Sequence, residues 1–152
     1  MSCYNGFAKI YDLFMEDVDY NVWCRYLKDI FEVYGVKPRK ILDTACGTGN
    51  ITIPMSAAGY DIWGLDLSAD MLTIAESKAR AAKQKIRFLN QDMTCMDLKE
   101  KFDVVLCMCD GVNYIYGEAA LIKYLSLVYE VLEKKGIFIF DISSYYKIRY
   151  IL

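Results

Sequence analysis

Residues 41–50, ILDTACGTGN, join an apolar strand-like run to a loop of small residues. A helix-like run follows and ends at Gly59, so the loop lies between a predicted strand and a predicted helix. In an open α/β sheet this junction, outside the carboxyl end of a strand, is where ligands bind. Small residues at positions 45, 47 and 49 let the backbone turn sharply and let a ligand approach the main chain. The stretch therefore predicts an α/β sheet with a ligand site at this loop.

Strand-like and helix-like segments alternate after residue 38, which is typical of a mostly parallel sheet covered by helices. The predicted strands are residues 40–44, 61–66, 86–90, 102–108 and 137–142. The predicted helices between them are residues 50–58, 69–83 and 118–135. Ser68 is the expected N-cap of the second of these helices, and Gly136 is the expected C-terminal cap of the third. Residues 1–37 are rich in aromatic side chains and predict two helices, residues 4–15 and 20–34.

Composition excludes several classes of function. The net charge of −2 gives no electrostatic attraction to nucleic acid or to an anionic membrane. No apolar run approaches the roughly 20 residues of a membrane span, and the first residues lack the pattern of a signal peptide, so we expect a cytoplasmic protein. The absence of histidine excludes a Cys/His zinc site and Ser-His-Asp or Cys-His catalysis. The six cysteines have no C-x-x-C spacing, so we expect reduced thiols and no metal site.

The charged and small residues of the loop distinguish between two kinds of nucleotide ligand. Free amides at a helix start favour an anion such as a pyrophosphate. However, the dinucleotide fingerprint G-x-G-x-x-G is incomplete, because Thr52 stands at its third glycine position. Asp43 lies in the strand ahead of the glycines, where it would repel a pyrophosphate but attract the ammonium group of an amino acid. The loop favours a ligand with an amino-acid end and a nucleoside end.

The segment from Asp43 to Gly49 resembles motif I of the class I S-adenosylmethionine-dependent methyltransferases, in particular the small stand-alone bacterial type. The motif usually reads Asp/Glu-x-Gly-x-Gly-x-Gly, and here Ala45 replaces the first glycine. Residues 64–72 resemble the family's second strand end and following helix, residues 91–93 its adenine-side motif, and residues 131–136 the turn before strand five. The resemblance covers residues 36–142 and implies an α/β, Rossmann-like doubly wound parallel sheet with helices on both faces and an N-terminal helical cap. It also implies S-adenosylmethionine as the cofactor.

The resemblance assigns a cofactor role to ten residues. It implies that Asp43 holds the cofactor's ammonium group and that Gly47 and Gly49 line the methionine and the ribose. Asp66 would accept both ribose hydroxyls, and Asp92 would accept the adenine amino group. The full predicted set is Tyr11, Asp43, Ala45, Gly47, Gly49, Asp66, Leu67, Met71, Asp92 and Met93. The alternatives are a plain strand-end or capping carboxylate for Asp66 and a turn-forming residue for Asp92.

The loop after the fourth strand holds the candidates for catalysis, because in this family it would begin beside the reactive sulfur. An activated methyl group mainly requires an aligned nucleophile and the exclusion of water. Asp110 is the candidate for a base or an orienting group, whereas Asn113 and Tyr114 are candidates for positioning the substrate. An ordinary surface loop has the same composition, so this interpretation competes with a purely structural one.

The N-terminal segment resembles the Phe-Ala-x-x-Tyr-Asp opening of many small bacterial methyltransferases. The resemblance implies that it folds over the cofactor pocket and that Tyr11 approaches the methionine carboxylate. The alternative is an amphipathic helix that simply buries its aromatic side chains against the core.

The sequence predicts one methyltransferase domain over residues 1–152, with a helical cap (1–37), a cofactor-binding core (38–142) and a short tail (143–152). Its predicted function is methyl transfer to a small-molecule acceptor; the alternatives are an NAD-dependent oxidoreductase and a cofactor-binding module without turnover. The family's C-terminal β-hairpin has no counterpart in residues 143–152, so we expect a fragment of a longer polypeptide. Strand five would then leave an unpaired apolar edge through which the chain could self-associate.

Overall fold

The computed structural model describes residues 8–143 and residue 149. Two helices precede the sheet, α1 Ala8–Phe14 and α2 Tyr20–Val33. The side chain of Asp19 caps α2 by accepting hydrogen bonds from the backbone N–H groups of residues 21 and 22. Both helices agree with the sequence prediction. The predicted start of the first helix at Tyr4, together with Phe7 and the tail beyond Ser143 apart from residue 149, lies outside the described residues.

Five parallel strands form one sheet behind these helices. They are β1 Lys40–Asp43, β2 Asp61–Asp66, β3 Arg87–Asn90, β4 Phe102–Cys107 and β5 Leu132–Phe140. The helices between them are α3 Thr52–Ala57, α4 Ala69–Ala81 and α5 Glu118–Val131. The strand order is β3-β2-β1-β4-β5. Successive strands are added towards one edge of the sheet up to β3 and towards the other edge from β4, so β1 and β4 flank the topological switch point. The predicted Rossmann-like, doubly wound sheet is therefore confirmed.

Helices cover both faces of the sheet. Alternate residues of β4 point to opposite sides: Val104 and Leu106 pack with α2 and α3, while Val105 packs with α5. Five of the six residues of β4 are buried, as expected for a central parallel strand. None of the helices in the described part of the chain is long and apolar enough to cross a membrane.

The last helix and the last strand differ from the prediction. Helix α5 ends at Val131 instead of residue 135, and β5 begins at Leu132, which pairs with Phe102. Gly136 is not a left-handed helix cap. It lies within β5, where a Cβ atom would come within 2.9 Å of the Asp103 carbonyl oxygen. Pairing with β4 thus replaces the last helical turn, and the glycine is needed for close approach of the two strands.

Strand β5 is an edge strand with an apolar outer side. Its residues 137–140 pair with β4, and among the described residues no strand pairs with its other side. None of its residues is buried, and Phe140 is 47% exposed. An unpaired apolar edge of this kind is a template for association with another strand.

We expect the 152-residue chain to self-associate through β5, so that its mean mass in light scattering rises with protein concentration. Phe140→Lys should suppress this rise, because a charge on the edge disfavours strand pairing. Tyr129→Lys is the matched control, since Tyr129 is 81% exposed but lies on α5. A wild-type chain that stays monomeric at every concentration, or equal behaviour of the two variants, would contradict this expectation.

Candidate functional site

A cavity of about 870 Å³ opens at the carboxyl end of the sheet, around the point where the strand order reverses. Segments that follow β1, β2, β3 and β4 all contribute to its walls. A smaller cavity of about 30 Å³ adjoins it. The residues that line both cavities are Tyr11, Ala45, Gly47, Met108 and Cys109.

The two glycines of the loop after β1 have different roles. Both have positive φ values, 53° at Gly47 and 82° at Gly49, which residues with a side chain rarely adopt. A Cβ atom on Gly47 would have no neighbour within 4 Å, and Gly47 lines both cavities. A Cβ atom on Gly49 would lie 3.0 Å from Ile53 and 3.4 Å from Ala75. Gly49 is absent from the lining of both cavities and packs against α3 and α4, whereas the resemblance implied that it lines the cofactor.

The side chain of Asp43 is buried beside the smaller cavity. Its Oδ2 accepts a hydrogen bond from Thr52 Oγ1 at 2.7 Å, whereas its Oδ1 is buried without a partner among the described residues. Burial raises the pKa of Asp43 to about 6, and the hydrogen bond from Thr52 opposes this rise. The hydroxyl of Tyr20, which lines the same cavity, is also buried without a partner in the described part of the chain. Buried polar atoms left unpaired are costly, so this cavity suits a ligand with a complementary polar end.

The carboxylate of Asp66 connects the glycine loop to the start of α4. Its Oδ2 accepts a hydrogen bond from the Gly47 N–H and its Oδ1 from the Ser68 N–H, both at 2.8 Å. Burial raises the pKa of Asp66, while these backbone hydrogen bonds lower it. Asp66 also lines the larger cavity, and each of its oxygens keeps a second lone pair. The N-cap of α4 is Ser68, as expected, whose hydroxyl accepts from the Met71 N–H, so Asp66 is a strand-end carboxylate that holds two backbone N–H groups and also lines the cavity.

The loop after β3 also combines a structural and a ligand-facing role. Asp92 Oδ1 accepts hydrogen bonds from the Thr94 N–H and Thr94 Oγ1, both at 2.7 Å, which forms the turn anticipated as the alternative. Asp92 and Met93 line the larger cavity together with Leu67 and Met71 from the β2–α4 connection.

The loop after β4 brings only one of its three predicted residues to the cavity. Tyr114 lines the larger cavity, but Asp110 and Asn113 line neither. The carboxylate of Asp110 accepts a hydrogen bond from Ser143 at 2.8 Å, and its N–H donates to Asp141 at 3.0 Å. Asp110 has a left-handed φ of 62°, as does Cys109 before it at 57°, so a tight turn lies at this point of the loop.

Several residues that line the larger cavity had not been assigned a ligand-binding role from the sequence. These residues are Thr44, Ser68, Ala69, Asp70, Thr94, Met108, Cys109, Gly111, Ile115, Tyr116 and Ala120. Most follow directly after a strand or a recognised motif residue. That position was the available signal, but their residue types carry no motif of their own.

Helix α1 lies at the cavity, as the resemblance implied. Tyr11 lines both cavities, and burial, with smaller contributions from Tyr20, Cys109 and Tyr114, raises the pKa of its hydroxyl. The alternative, in which the aromatic side chains of this segment bury themselves against the core, describes Tyr20 and Trp23 of α2, which pack on a core cluster, but not Phe14 of α1, which is 67% exposed.

The polar groups of the two cavities fit a ligand with an ammonium end and a nucleoside end. The unpaired Asp43 Oδ1 suits an ammonium group, and the Asp66 carboxylate suits a pair of hydroxyls. A pyrophosphate fits poorly, because both carboxylates repel it and the Gly47 N–H already donates to Asp66. The geometry therefore gives no support to the dinucleotide alternative.

Comparison with known proteins agrees with this geometry. Residues 41–136 match the family described as "Methyltransferase domain". A curated protein of Geobacillus sp. (strain WCH70), whose name assigns it provisionally to the methyltransferases, is 36% identical over 97% of this chain and 60% of its own length. The glycine/sarcosine N-methyltransferase of Aphanothece halophytica is 32% identical over 70% of this chain and 41% of its own length.

A solved structure has the same fold over almost the whole chain. The S-adenosylmethionine-dependent methyltransferase from Clostridium acetobutylicum ATCC 824 superposes with a TM-score of 0.86 at 40% identity. The match covers 99% of this chain and 62% of that one, so the present chain spans less than two thirds of the length of these relatives. Because the family match extends over residues 41–136, from the start of the glycine loop to β5, this chain belongs to the methyltransferase domain family.

Proposed function

We propose that this domain binds S-adenosylmethionine across the two adjoining cavities and takes part in methyl transfer to a small-molecule acceptor. The observation that carries the proposal is the buried Asp43 Oδ1, which has no hydrogen-bond partner among the residues that the structure describes and lines the same small cavity as Gly47. An ammonium group would satisfy this oxygen, and no neutral or anionic group would do so as well. The match to the methyltransferase family supports the same ligand.

In this proposal each end of the cofactor has its own set of residues. Asp43 Oδ1 holds the cofactor's ammonium group. The hydroxyl of Tyr20, which lines the smaller cavity, donates a hydrogen bond to the cofactor's carboxylate. Asp66 accepts the ribose hydroxyls, and hydrogen bonds of this charged kind contribute about 1.5–3 kcal/mol each. Asp92 Oδ2, which Thr94 does not use, accepts the adenine amino group, with Met93 beside the ring.

Four side chains that line the larger cavity form the proposed acceptor wall, which we define as Tyr11, Met108, Cys109 and Tyr114; the first three also line the smaller cavity. The bound cofactor supplies an electrophilic methyl group. The protein must then align a nucleophile and exclude water. Burial raises the pKa of Tyr11, and it raises that of Cys109 to about 12, so both stay protonated at neutral pH.

An acceptor wall without a carboxylate or a histidine suits a nucleophile that needs no base. An amine in its free-base form meets this requirement, since it carries its own lone pair and no proton has to be removed before it reacts with the methyl group that the cofactor would supply. The relative from Aphanothece halophytica, named for glycine and sarcosine, supports an amine acceptor. We therefore propose a small amine as the acceptor.

Asp66→Asn should weaken binding of S-adenosylhomocysteine, the demethylated cofactor, by at least about tenfold, because the ribose hydroxyls lose a charged acceptor. Isothermal titration calorimetry measures this directly. Asp61→Asn is the matched control, since Asp61 is the exposed first residue of the same strand and should leave the dissociation constant unchanged. An unchanged constant in Asp66→Asn would remove Asp66 from the site.

Gly47→Ala should abolish measurable cofactor binding, whereas Gly35→Ala should leave it intact. Both glycines have left-handed φ values, 53° and 64°, and open space at the Cβ position, so both variants should lose about 1–2 kcal/mol of stability from backbone strain. Only Gly47 lines the cavities. Thermal unfolding checks the matched loss of stability, and calorimetry checks the binding. Equal affinities in the two variants would make the loop a simple turn.

Cofactor binding should tighten as the pH rises through about 6, the pKa of Asp43. The ammonium group favours the ionised carboxylate, so binding lowers this pKa and releases protons near pH 6. In the ligand-free protein, the ionisation of Asp43 should affect folding stability in the opposite direction. The folded-state pKa lies above the ordinary value of 3.8, so stability falls as the pH rises from 3.8 towards about 6.

Calorimetry in two buffers of different ionisation enthalpy, between about pH 5 and about pH 7.5, measures the released protons. Asp43→Asn should bind the cofactor more weakly, and its affinity should lose most of its dependence on pH. Asp66 would then be the remaining carboxyl in the site whose pKa is raised. Proton release that persists unchanged in Asp43→Asn would show that another group binds the ammonium.

A further inference from the structure

A group of hydrogen bonds joins α1 to the glycine loop and to α4. Asp12 Oδ1 accepts from Thr48 Oγ1 at 2.6 Å and from Asn50 Nδ2 at 2.9 Å. Asp12 Oδ2 accepts from Lys78 Nζ at 2.8 Å. Lys78 also donates to Asn50 Oδ1 and, at 3.3 Å, to Thr48 Oγ1. These four residues, the Asp12 network, bring together three elements that are distant in sequence.

Among the side chains that the structure describes, those of helix α1 bury little apolar surface. It has seven residues, and a helix of this length is not stable by itself in water. Its apolar side chains Ile10, Leu13 and Phe14 are 43%, 62% and 67% exposed, so they contribute little apolar burial. The attachment of α1 is therefore polar, and Asp12 is at its centre.

The Asp12 network can open without leaving a charge buried. The side chains of Asp12 and Lys78 are 41% and 34% exposed, so water can solvate both when they separate. Burial alone would raise the pKa of Asp12, but hydrogen bonds from Lys78, Thr48 and Asn50 lower it overall. Asp12 is thus ionised at neutral pH, and its ion pair with Lys78 can separate in solvent, in contrast to the buried carboxylate of Asp43.

The Asp12 network is also continuous with the cavities. Tyr11, the residue before Asp12, lines both cavities. Thr48 and Asn50 line the smaller one, beside Asp43. Separation of Asp12 from the loop would move Tyr11 away from the cavities and would expose their contents to solvent.

We propose that the Asp12 network is a latch that holds α1 closed over the bound cofactor and that its opening controls the release of the cofactor. Asp12 is a positioning residue, which acts through Tyr11 and through the loop residues Thr48 and Asn50. This inference rests on the proposed function, because the ligand retained by the latch is S-adenosylmethionine.

The test is the dissociation rate of tritium-labelled S-adenosylmethionine, chased with excess unlabelled S-adenosylhomocysteine. Asp12→Asn and Lys78→Met should each accelerate dissociation about three- to fivefold, as expected for a partly exposed ion pair. The double variant should dissociate no faster than either single one, because both substitutions break the same interaction. Glu100→Gln is the matched control, since it breaks the Lys40–Glu100 ion pair outside both cavities and should leave the rate unchanged.

A second measurement separates a latch from a general loss of stability. Hydrogen exchange of the α1 amides in the ligand-free protein should be faster in Asp12→Asn but not in Glu100→Gln, while the unfolding midpoints of the two variants should match closely.

The outcomes distinguish the latch from the proposed function. A wild-type chain that does not bind the labelled cofactor overturns the proposed function and the latch with it. A wild-type chain that binds, combined with a wild-type dissociation rate in Asp12→Asn, overturns the latch alone. Additive acceleration in the double variant also overturns it.

Discussion

The two backbone hydrogen bonds accepted by Asp66 are the interaction on which the site depends. They join the end of β2 to Gly47 on one side and to the Ser68 N–H at the start of α4 on the other. Because β1 and β2 are paired in parallel, their carboxyl ends are adjacent, and the Asp66 carboxylate bridges them. The positive φ of Gly47 allows its N–H to point at that carboxylate. This arrangement leaves Gly47, Asp66 and Ser68 lining the larger cavity, at the carboxyl ends of β1 and β2.

The negative charge of the carboxylates at this edge of the sheet then decides which ligand the cavities can accept. Parallel α/β sheets commonly place anions at this edge, where free amides are available. Here Asp43 and Asp66 occupy the edge, and burial raises the pKa of both. The burial of two carboxylates costs stability, which a cationic ligand with hydroxyl groups would recover. In the proposed complex, the ammonium group and the ribose hydroxyls of the cofactor offset the cost of burying the two aspartates.

The stability of the structure is distributed unevenly around the cavity. The sheet and its helices bury apolar side chains on both faces, whereas α1 is attached by polar contacts of partly exposed residues. Elements with little buried surface open first. A rigid sheet with a weakly attached helix α1 beside the cavity suits the proposed function, in which the cofactor must be exchanged after each reaction.

The sequence by itself determined the order of strands and helices, the glycine loop and the cluster of polar residues at the strand ends. These features depend on residues that are close in sequence, such as a strand end followed by small residues and a helix cap. Only the tertiary structure decided that Gly49 faces α4, that Asp110 faces Ser143 instead of the cavity and that α5 ends at Val131. It also decided that Asp12 meets a lysine 66 positions away. Such contacts depend on packing between distant segments, which leaves no periodic or motif signal in the local sequence.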